Sequence, residues 1–362
     1  MKTILVTGGA GFIGSNFIHH ILATRDYEII NVDKLTYAGN LANLEGLEDR
    51  PNYQFIQADI ADKEVMGTLF EQYHIDGVIN FAAETHVDRS IEDSNPFIQT
   101  NIIGTHVLLE LSREYKIKRY HQVSTDEVYG DLGDPISGQP KTYFREDTPL
   151  KPNCPYAAAK ASADLLVQSW TETYQLPAII TRCSNNYGPY QFPEKLIPFF
   201  LFRAMHDEPL PVYGDGQNIR DWLYVLDHCE AILKAFEESP VGEVWNIGGY
   251  NEKTNLEIVE LILRNVPNSK SPITFVEDRK AHDRRYAMDP SKLTKTLGWK
   301  PRHTFEEALP KTIQWYLDNK SWVERAVSPG QGGTSRQVGT RGFIFTITPR
   351  TFGPPPLSGG SY

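Results

Sequence analysis

An α/β fold built on a doubly wound parallel sheet, with a smaller α/β region beside it, is predicted for this chain of 362 residues by two observations. Short β-branched runs alternate with helix-length stretches through the first half, and a glycine-rich turn joins the first run directly to the first helix. Alternation of this kind means strand–helix–strand units, whose crossovers force parallel pairing and cover both faces of the sheet. Thr3–Thr7 reads as a buried strand and Phe12–Leu22 as the helix that follows. Further strands are predicted at Ile29–Val32, Tyr53–Ile56, Gly77–Asn80, Arg119–Val123 and Ala178–Arg182. Helical periodicity falls between them, near Lys63–Tyr73, Thr100–Tyr115 and Pro155–Tyr174. Beyond about residue 185 the prolines Pro189, Pro193, Pro198, Pro209 and Pro211 break the pattern, as in a substrate-facing region of loops and short helices.

Composition narrows the function classes. Hydrophobic residues make up 40% and charged residues 23% of the chain, which is ordinary globular usage. A formal net charge of −10 argues against a surface for nucleic acid or anionic membrane. No apolar run reaches the roughly 20 residues of a membrane span, and the start lacks a signal-peptide pattern. Cys154, Cys183 and Cys229 are too few and too scattered for a disulfide framework or a zinc site, so no metal is expected and a cytoplasmic, reducing setting is. The last 35 residues hold 8 Gly, 5 Pro and three arginines without an acid, and read as a flexible appendage whose only strand-like patch is Phe343–Ile347.

The turn Thr7-Gly8-Gly9-Ala10-Gly11-Phe12-Ile13-Gly14 spaces its glycines as Gly8-x-x-Gly11-x-x-Gly14. Glycines there permit a tight turn and close approach of backbone to a pyrophosphate, and the helix N-terminus supplies N–H groups and a positive dipole end. A glycine triplet alone is equally a tight turn; its place between strand and helix makes it a dinucleotide site of the Rossmann type. Asp33 ends the second strand 19 residues beyond Gly14. Its carboxylate can accept both ribose hydroxyls and would repel a 2′-phosphate, which favours NAD over NADP, although neighbouring Lys34 pulls the other way. Asp59-Ile60 at the third strand end would lie near the adenine, and Phe81-Ala82-Ala83 at the fourth would let the cofactor cross the strand tips.

Tyr156-Ala157-Ala158-Ala159-Lys160 places a phenol and an ammonium at i and i+4 on one helical face. A nearby cation stabilises phenolate, lowers the phenol pKa and makes a base able to take a proton from a sugar hydroxyl. The same spacing also arises as a surface pair on an alanine-rich helix. Upstream, Ser124-Thr125-Asp126-Glu127 follows a strand, where open α/β sheets place their crevice. Thr125 could share the substrate oxygen with Tyr156. Two consecutive carboxyls can divide into acid and base if their surroundings push the pKa values apart. That is elimination chemistry: one takes a carbon-bound proton, the other protonates a leaving hydroxyl.

These motifs, with Asp33-Lys34-Leu35-Thr36-Tyr37-Ala38-Gly39-Asn40, Ala82-Ala83-Glu84-Thr85-His86-Val87-Asp88-Arg89-Ser90 and Asp278-Arg279-Lys280-Ala281-His282-Asp283-Arg284-Arg285-Tyr286, resemble the extended short-chain dehydrogenases/reductases. The Thr-Asp-Glu run resembles more narrowly the dTDP-glucose 4,6-dehydratases, over residues 1 to about 323. The resemblance implies a three-step reaction with NAD as a bound prosthetic group. Tyr156, aided by Lys160 and Thr125, takes the C4 hydroxyl proton during oxidation. Glu127 removes the C5 proton while Asp126 protonates the departing C6 hydroxyl, and reduction at C6 gives dTDP-4-dehydro-6-deoxy-glucose.

It further implies cofactor contacts from Leu35, Thr36, Thr100, Tyr156, Lys160 and Asn186, and substrate contacts from Thr85, His86, Thr125, Asn185, Lys195, Leu196, Pro211, Tyr213, Arg220, Asn255, Arg279 and His282. A homodimer through the helices near Thr100–Tyr115 and Pro155–Tyr174 is also implied. On this reading residues 1–184 form the NAD-binding domain, 185–323 mainly a sugar-nucleotide-binding region interleaved with it, and 324–362 an atypical tail. Alternatives are a UDP-sugar 4-epimerase or decarboxylase, against which the acid pair argues, and a catalytically silent NAD-binding regulator. The chain departs from the family at Lys280-Ala281, where Pro-Gly is common, and at Cys154 and Ala159, where serines are usual. Residues 133–145 could cover the site.

Overall fold

The computed structural model describes residues 2–135 and 139–327. The patch Phe343–Ile347 and residues 136–138 of the 133–145 stretch lie outside these.

The strands are β1 (Lys2–Thr7), β2 (Tyr27–Asp33), β3 (Tyr53–Gln57), β4 (Gly77–Asn80), β5 (Arg119–Thr125), β6 (Ala178–Cys183), β7 (Asn185–Tyr187), β8 (Leu210–Tyr213), β9 (Ile219–Tyr224), β10 (Val244–Ile247), β11 (Glu252–Thr254) and β12 (Ile273–Val276). The helices are α1 (Phe12–Thr24), α2 (Lys63–Tyr73), α3 (Val87–Glu92), α4 (Asn95–Phe97), α5 (Thr105–Glu114), α6 (Pro155–Tyr174), α7 (Leu196–Met205), α8 (Val225–Glu238), α9 (Asn255–Asn265), α10 (Ser291–Leu297), α11 (Phe305–Asp318) and α12 (Lys320–Val327).

Seven strands form one parallel sheet in the order β10-β6-β5-β4-β1-β2-β3. Because successive side chains of a strand point to opposite faces, β1 feeds two cores at once. Ile4 and Val6 join a cluster with Phe17 of α1 and Ile232 of α8, while Leu5 joins Leu108 of α5 and Val167 of α6 on the other face. The near-continuous apolar strands of the sequence follow from this double cover.

Order reverses at β1, whose neighbours are β2 and β4, so the crevice beyond their C-terminal ends is the switch point where ligands bind such sheets. After β6 the chain builds two small sheets, β11-β9-β7 and β12-β8, around a third core that contains Phe200, Trp222 and Phe305. It also returns β10 to the edge of the large sheet.

The predicted helix at Thr100–Tyr115 differs in form. The chain becomes helical at Asn95 and runs as a π-helix over Ile98–Gly104 before α5 begins. The wider turn lets Asn101 lie against the strap after β4, where its amide both accepts from the Glu84 N–H and donates to the Glu84 carbonyl.

Candidate active site

The cofactor cradle forms first, from backbone. Gly8 has φ +71°, and a Cβ there would come within 2.6 Å of the Ala82 nitrogen, so β1 and the end of β4 meet only through glycine. A Cβ on Gly14 would fall 2.3 Å from the Gly8 carbonyl oxygen. Helix α1 starts from Gly11 with no side-chain cap and no acid in its first turn. The leading N–H groups of Phe12 and Ile13 are therefore available to an anion.

Asp33 is buried at the tip of β2. Its Oδ2 accepts the Ala10 N–H at 2.9 Å and its Oδ1 the Leu35 N–H at 2.8 Å, which orients the carboxylate and leaves each oxygen a lone pair for a ribose hydroxyl. Lys34 does not stand free: its Nζ pairs with Asp59 Oδ2 at 2.5 Å. The neighbouring cation that would have favoured a 2′-phosphate is thus partly neutralised. Ile60 is buried against Gly104, Phe81 packs on Phe17 at 5.2 Å, and Ala82 and Ala83 lead into the strap held by Asn101. Thr36 touches the Glu84 carboxyl, and Thr100 lies in the π-helical turn.

The acid pair sits beyond β5. Thr125 caps a short 3-10 turn, Asp126–Tyr129, with its Oγ1 accepting the Glu127 N–H at 3.3 Å and donating to Asp126 Oδ1 at 3.2 Å. Asp126 is 2% exposed and its Oδ2 has no partner among the described residues. Burial, then the Glu127 charge, push its carboxyl well above the ordinary range. Glu127 is also raised by burial, but Arg279, Lys195 and Arg220 pull it back in that order. Both carboxyls are therefore raised, but in different surroundings: the second acid adds to burial at Asp126, whereas three cations oppose burial at Glu127, the kind of difference a division into acid and base needs.

Tyr156 and Lys160 stand on the same face of α6, and both are buried. The lowered phenol expected from the pair is not found. Burial, followed by the Glu127 charge and the two thiols Cys183 and Cys154, raises the Tyr156 pKa well above 10, and the Thr125 hydroxyl bond opposes this. The Lys160 Nζ instead donates to the Val123 carbonyl at 2.7 Å, and burial lowers its own pKa while Asp164 raises it. One of the three ammonium donors is thus used on the strand carbonyl, which anchors Lys160 beneath β5 and leaves two donors on the face it shares with Tyr156.

Cations and amides of the second half close over the acids. Arg220 stacks 4.3 Å over the Tyr286 ring and is fixed by the Asp283 carbonyl at 2.9 Å. Among the described residues the buried Nε of Arg279 and the Oδ1 atoms of Asn185 and Asn255 have no hydrogen-bond partner. Lys195 reaches the Thr85 carbonyl at 3.0 Å, and Leu196 opens α7 behind it. Pro211 and Tyr213 lie on β8, with the Tyr213 ring edge-on to His282 at 6.2 Å. His282 is tied to Asp278, and His86, which caps α3, faces Glu194 at 3.7 Å; burial holds the two imidazoles neutral, at about 4 and about 3. Asn186 is held from both sides, by the Ser184 carbonyl and by His228. Arg284 and Arg285 of the same basic loop are spent on Asp134, Asp215 and Glu252.

Sequence reading missed Asp221 and Glu194. Asp221 is buried on β9 beside Arg220, accepts the N–H groups of Gly249 and Asn251, and is raised to about 6 by burial. Two adjacent opposite charges within an apolar strand were the available signal. Glu194, raised by burial, accepts the Tyr37 phenol at 3.0 Å and directly precedes Lys195.

Among the described residues no group of His, Cys, Asp or Glu could hold a metal ion, and no helix is long and apolar enough to cross a membrane.

Comparison with known proteins agrees with this geometry. The profile of the family described as GDP-mannose 4,6 dehydratase matches residues 5–312. A dTDP-glucose 4,6-dehydratase of Neisseria meningitidis serogroup B is 50% identical over 348 residues, covering 91% of this chain and 97% of that protein. The crystal structure of a dTDP-glucose 4,6-dehydratase from Bacillus anthracis in complex with NAD is similar at TM-score 0.83 and 49% identity, over 90% of this chain and 100% of that one. One from Streptomyces venezuelae, with NAD and a second ligand bound, is similar at TM-score 0.85 and 42% identity, again over 90% and 100%.

Proposed function

Because the chain belongs to the GDP-mannose 4,6-dehydratase family, we propose that its buried threonine, acid pair and tyrosine divide one dehydration among them. The reaction is the dehydration of dTDP-glucose to dTDP-4-dehydro-6-deoxy-glucose, with NAD as cofactor. The family description carries a sibling's sugar nucleotide; the relatives at about half identity carry dTDP-glucose.

The observation that carries the assignment of roles is the placement of Asp126 and Glu127 at the tip of β5 under three cations, beside a buried phenol. The residues fit NAD: Gly8, Gly11 and Gly14 open a backbone cradle, the uncapped start of α1 would hold the pyrophosphate, and Asp33 keeps lone pairs that would take the ribose hydroxyls. When bound, NAD takes up hydrogen from the sugar C4 and returns it to C6.

Tyr156, as the phenolate, receives the C4 hydroxyl proton and becomes the neutral phenol, with Lys160 supplying the charge that supports the phenolate and Thr125 a hydrogen bond to the same oxygen. Glu127, where Arg279, Lys195 and Arg220 offset part of the effect of burial, removes the C5 proton, which the C4 ketone has made acidic. Asp126, kept protonated by burial, delivers its proton to the departing C6 hydroxyl. Arg220 and Arg279 supply donors to the diphosphate, and the free amide oxygens of Asn185 and Asn255 receive substrate donors. On the same reading residues 1–184 serve the cofactor and 185–323 mainly the substrate, and the three free, buried thiols suit a reducing cytoplasm.

The chain is proposed to work as a homodimer. Ile91, Ile98, Ile103 and Leu165 are each 39–55% exposed on α3, the π-helical segment and α6, an apolar surface at the place where two copies would build a helical bundle.

The deciding experiment is incubation of the purified chain with dTDP-glucose and no added NAD, followed by mass and by the alkaline absorbance of a 4-keto sugar. Loss of water supports the reading and shows that NAD travels with the protein. Unchanged mass with galactose in the sugar pool would replace it with an epimerase, and no conversion with added NAD would favour the silent regulator. Glu127→Gln is expected to keep the first oxidation and lose elimination, leaving reduced cofactor on the enzyme; equal loss of both steps contradicts the assigned base.

A further inference from the structure

The two halves of the proposed chemistry stand on different elements. The phenol and lysine belong to α6, the acids to the turn after β5, and a buried polar chain outside the substrate crevice joins them. Asp164 lies on α6 one turn beyond Lys160 and two beyond Tyr156, on the same face. Its Oδ2 receives the Arg182 Nε–H at 2.8 Å, and both side chains are at most 2% exposed. Arg182 sits on β6 in register with Ser124 of β5. Its Nη1 donates to the Tyr129 hydroxyl at 2.8 Å, and its guanidinium lies 4.8 Å over the Tyr129 ring. Tyr129 closes the turn that begins with Asp126 and Glu127, and its O–H donates to Asn246 Oδ1 on β10 at 2.8 Å.

Resting on the proposed roles of Tyr156, Asp126 and Glu127, we propose that Asp164, Arg182 and Tyr129 are positioning residues that fix the acid-pair turn at a set distance from the tyrosine–lysine helix.

Stability alone does not explain the arrangement. Replacing a buried ion pair by apolar side chains of similar volume is often neutral or stabilising, because desolvation offsets the Coulomb gain. What an apolar filler lacks is direction. The guanidinium is a planar fork whose donors leave at fixed angles; here one is committed to α6 and another to the acid-bearing turn. The other polar links between α6 and the β5 end, Tyr156 to the Thr125 hydroxyl and Lys160 to the Val123 carbonyl, lie on the β5 side of the turn, so the fork is what ties its far end at Tyr129. A misplacement of about 1 Å can cost on the order of 100-fold in rate, so the fork acts where the site is most sensitive. The same Asp164, more than Cys183, also opposes the lowering of the Lys160 pKa by burial.

Tyr129→Phe tests this with removal of a single oxygen remote from the sugar. The expected result is a turnover number lower by roughly 10- to 100-fold with KM within about twofold. The loss should fall on elimination, so that bound cofactor is found reduced during turnover by its near-ultraviolet absorbance. Arg182→Lys keeps the charge and loses the fork, and is expected to behave alike. Unchanged turnover with a lowered unfolding midpoint would mean a merely structural role and overturn the proposal, as would equal slowing of oxidation and elimination. Should either variant fail to fold, the double variant Asp164→Leu/Arg182→Met keeps an apolar, space-filling core; a stable but slow protein supports the inference and a stable, fully active one removes it. Failure of the unmodified protein to dehydrate dTDP-glucose would instead refute the functional reading beneath it.

Discussion

Ala281 adopts φ +51°, a left-handed backbone that a Cβ disfavours, at the position where the sequence departs from the Pro-Gly usual in its family. The loop keeps a glycine's conformation without a glycine. Ala281→Gly should therefore stabilise the protein, by about 0.5–1 kcal/mol after the extra entropy of the unfolded glycine is deducted. A denaturant midpoint that stays or falls would show that the loop is not strained there.

Asp221 gives a second test at the same scale. Burial raises its carboxyl from 3.8 to about 6, despite the two N–H groups it accepts. Between these values the folded chain holds a proton that the unfolded chain has lost. Its contribution to stability is thus full below about pH 4 and is withdrawn as pH rises toward 6, on the order of 3 kcal/mol in all. Asp221→Asn should remove that slope, so the difference in unfolding free energy between variant and wild type should change with pH across this window. A pH-independent difference would place the group's folded pKa near its ordinary value.

At the scale of elements, α6 is capped by sulfur. Cys154 Sγ accepts the Ala157 N–H at 3.5 Å, a long contact from a weak acceptor in the position where a hydroxyl serves best. Cys154→Ser should tighten the cap and raise the unfolding midpoint, with a gain of about 0.5–1 kcal/mol. A lowered midpoint would mean that packing of the sulfur near Tyr156 outweighs the hydrogen bond.

Elements of this kind were legible wherever a local pattern decides them. Lys63–Tyr73, Gly77–Asn80 and Pro155–Tyr174 fall where periodicity and β-branching put them. The π-helix at Ile98–Gly104 was not legible, because it exists to seat Asn101 against Glu84, a contact 17 residues away in sequence. β7–β12 escaped for a related reason: they are three to six residues long and are defined by their partners. The site divides in the same way. Gly8, Asp33, Asp126 and Glu127 announce themselves at strand ends. That Lys160 bonds the Val123 carbonyl, or that Arg284 and Arg285 are consumed by acids from three other segments, is decided only by the folded chain.

For the whole molecule, the sheet's two faces are unequal in what covers them. On the side carrying α5 and α6, which pack on each other, Ile91 of α3, Ile98 and Ile103 of the π-helical segment and Leu165 of α6 stay exposed. Leu165, 55% exposed in the middle of α6, lies on the helix that also carries Tyr156 and Lys160. If two copies pair through these residues, burial of the half of each leucine or isoleucine still exposed contributes about 0.7–1.5 kcal/mol. The pairing then also steadies the helix on which the base stands. Leu165→Lys would bury an unpaired ammonium on a two-fold, twice per dimer, and should convert the protein to a monomer in sedimentation at micromolar concentration. Activity should fall with dissociation and return as concentration restores the pair. A variant that stays dimeric would move the interface elsewhere, while a monomer of full specific activity would show that the site is complete within one chain.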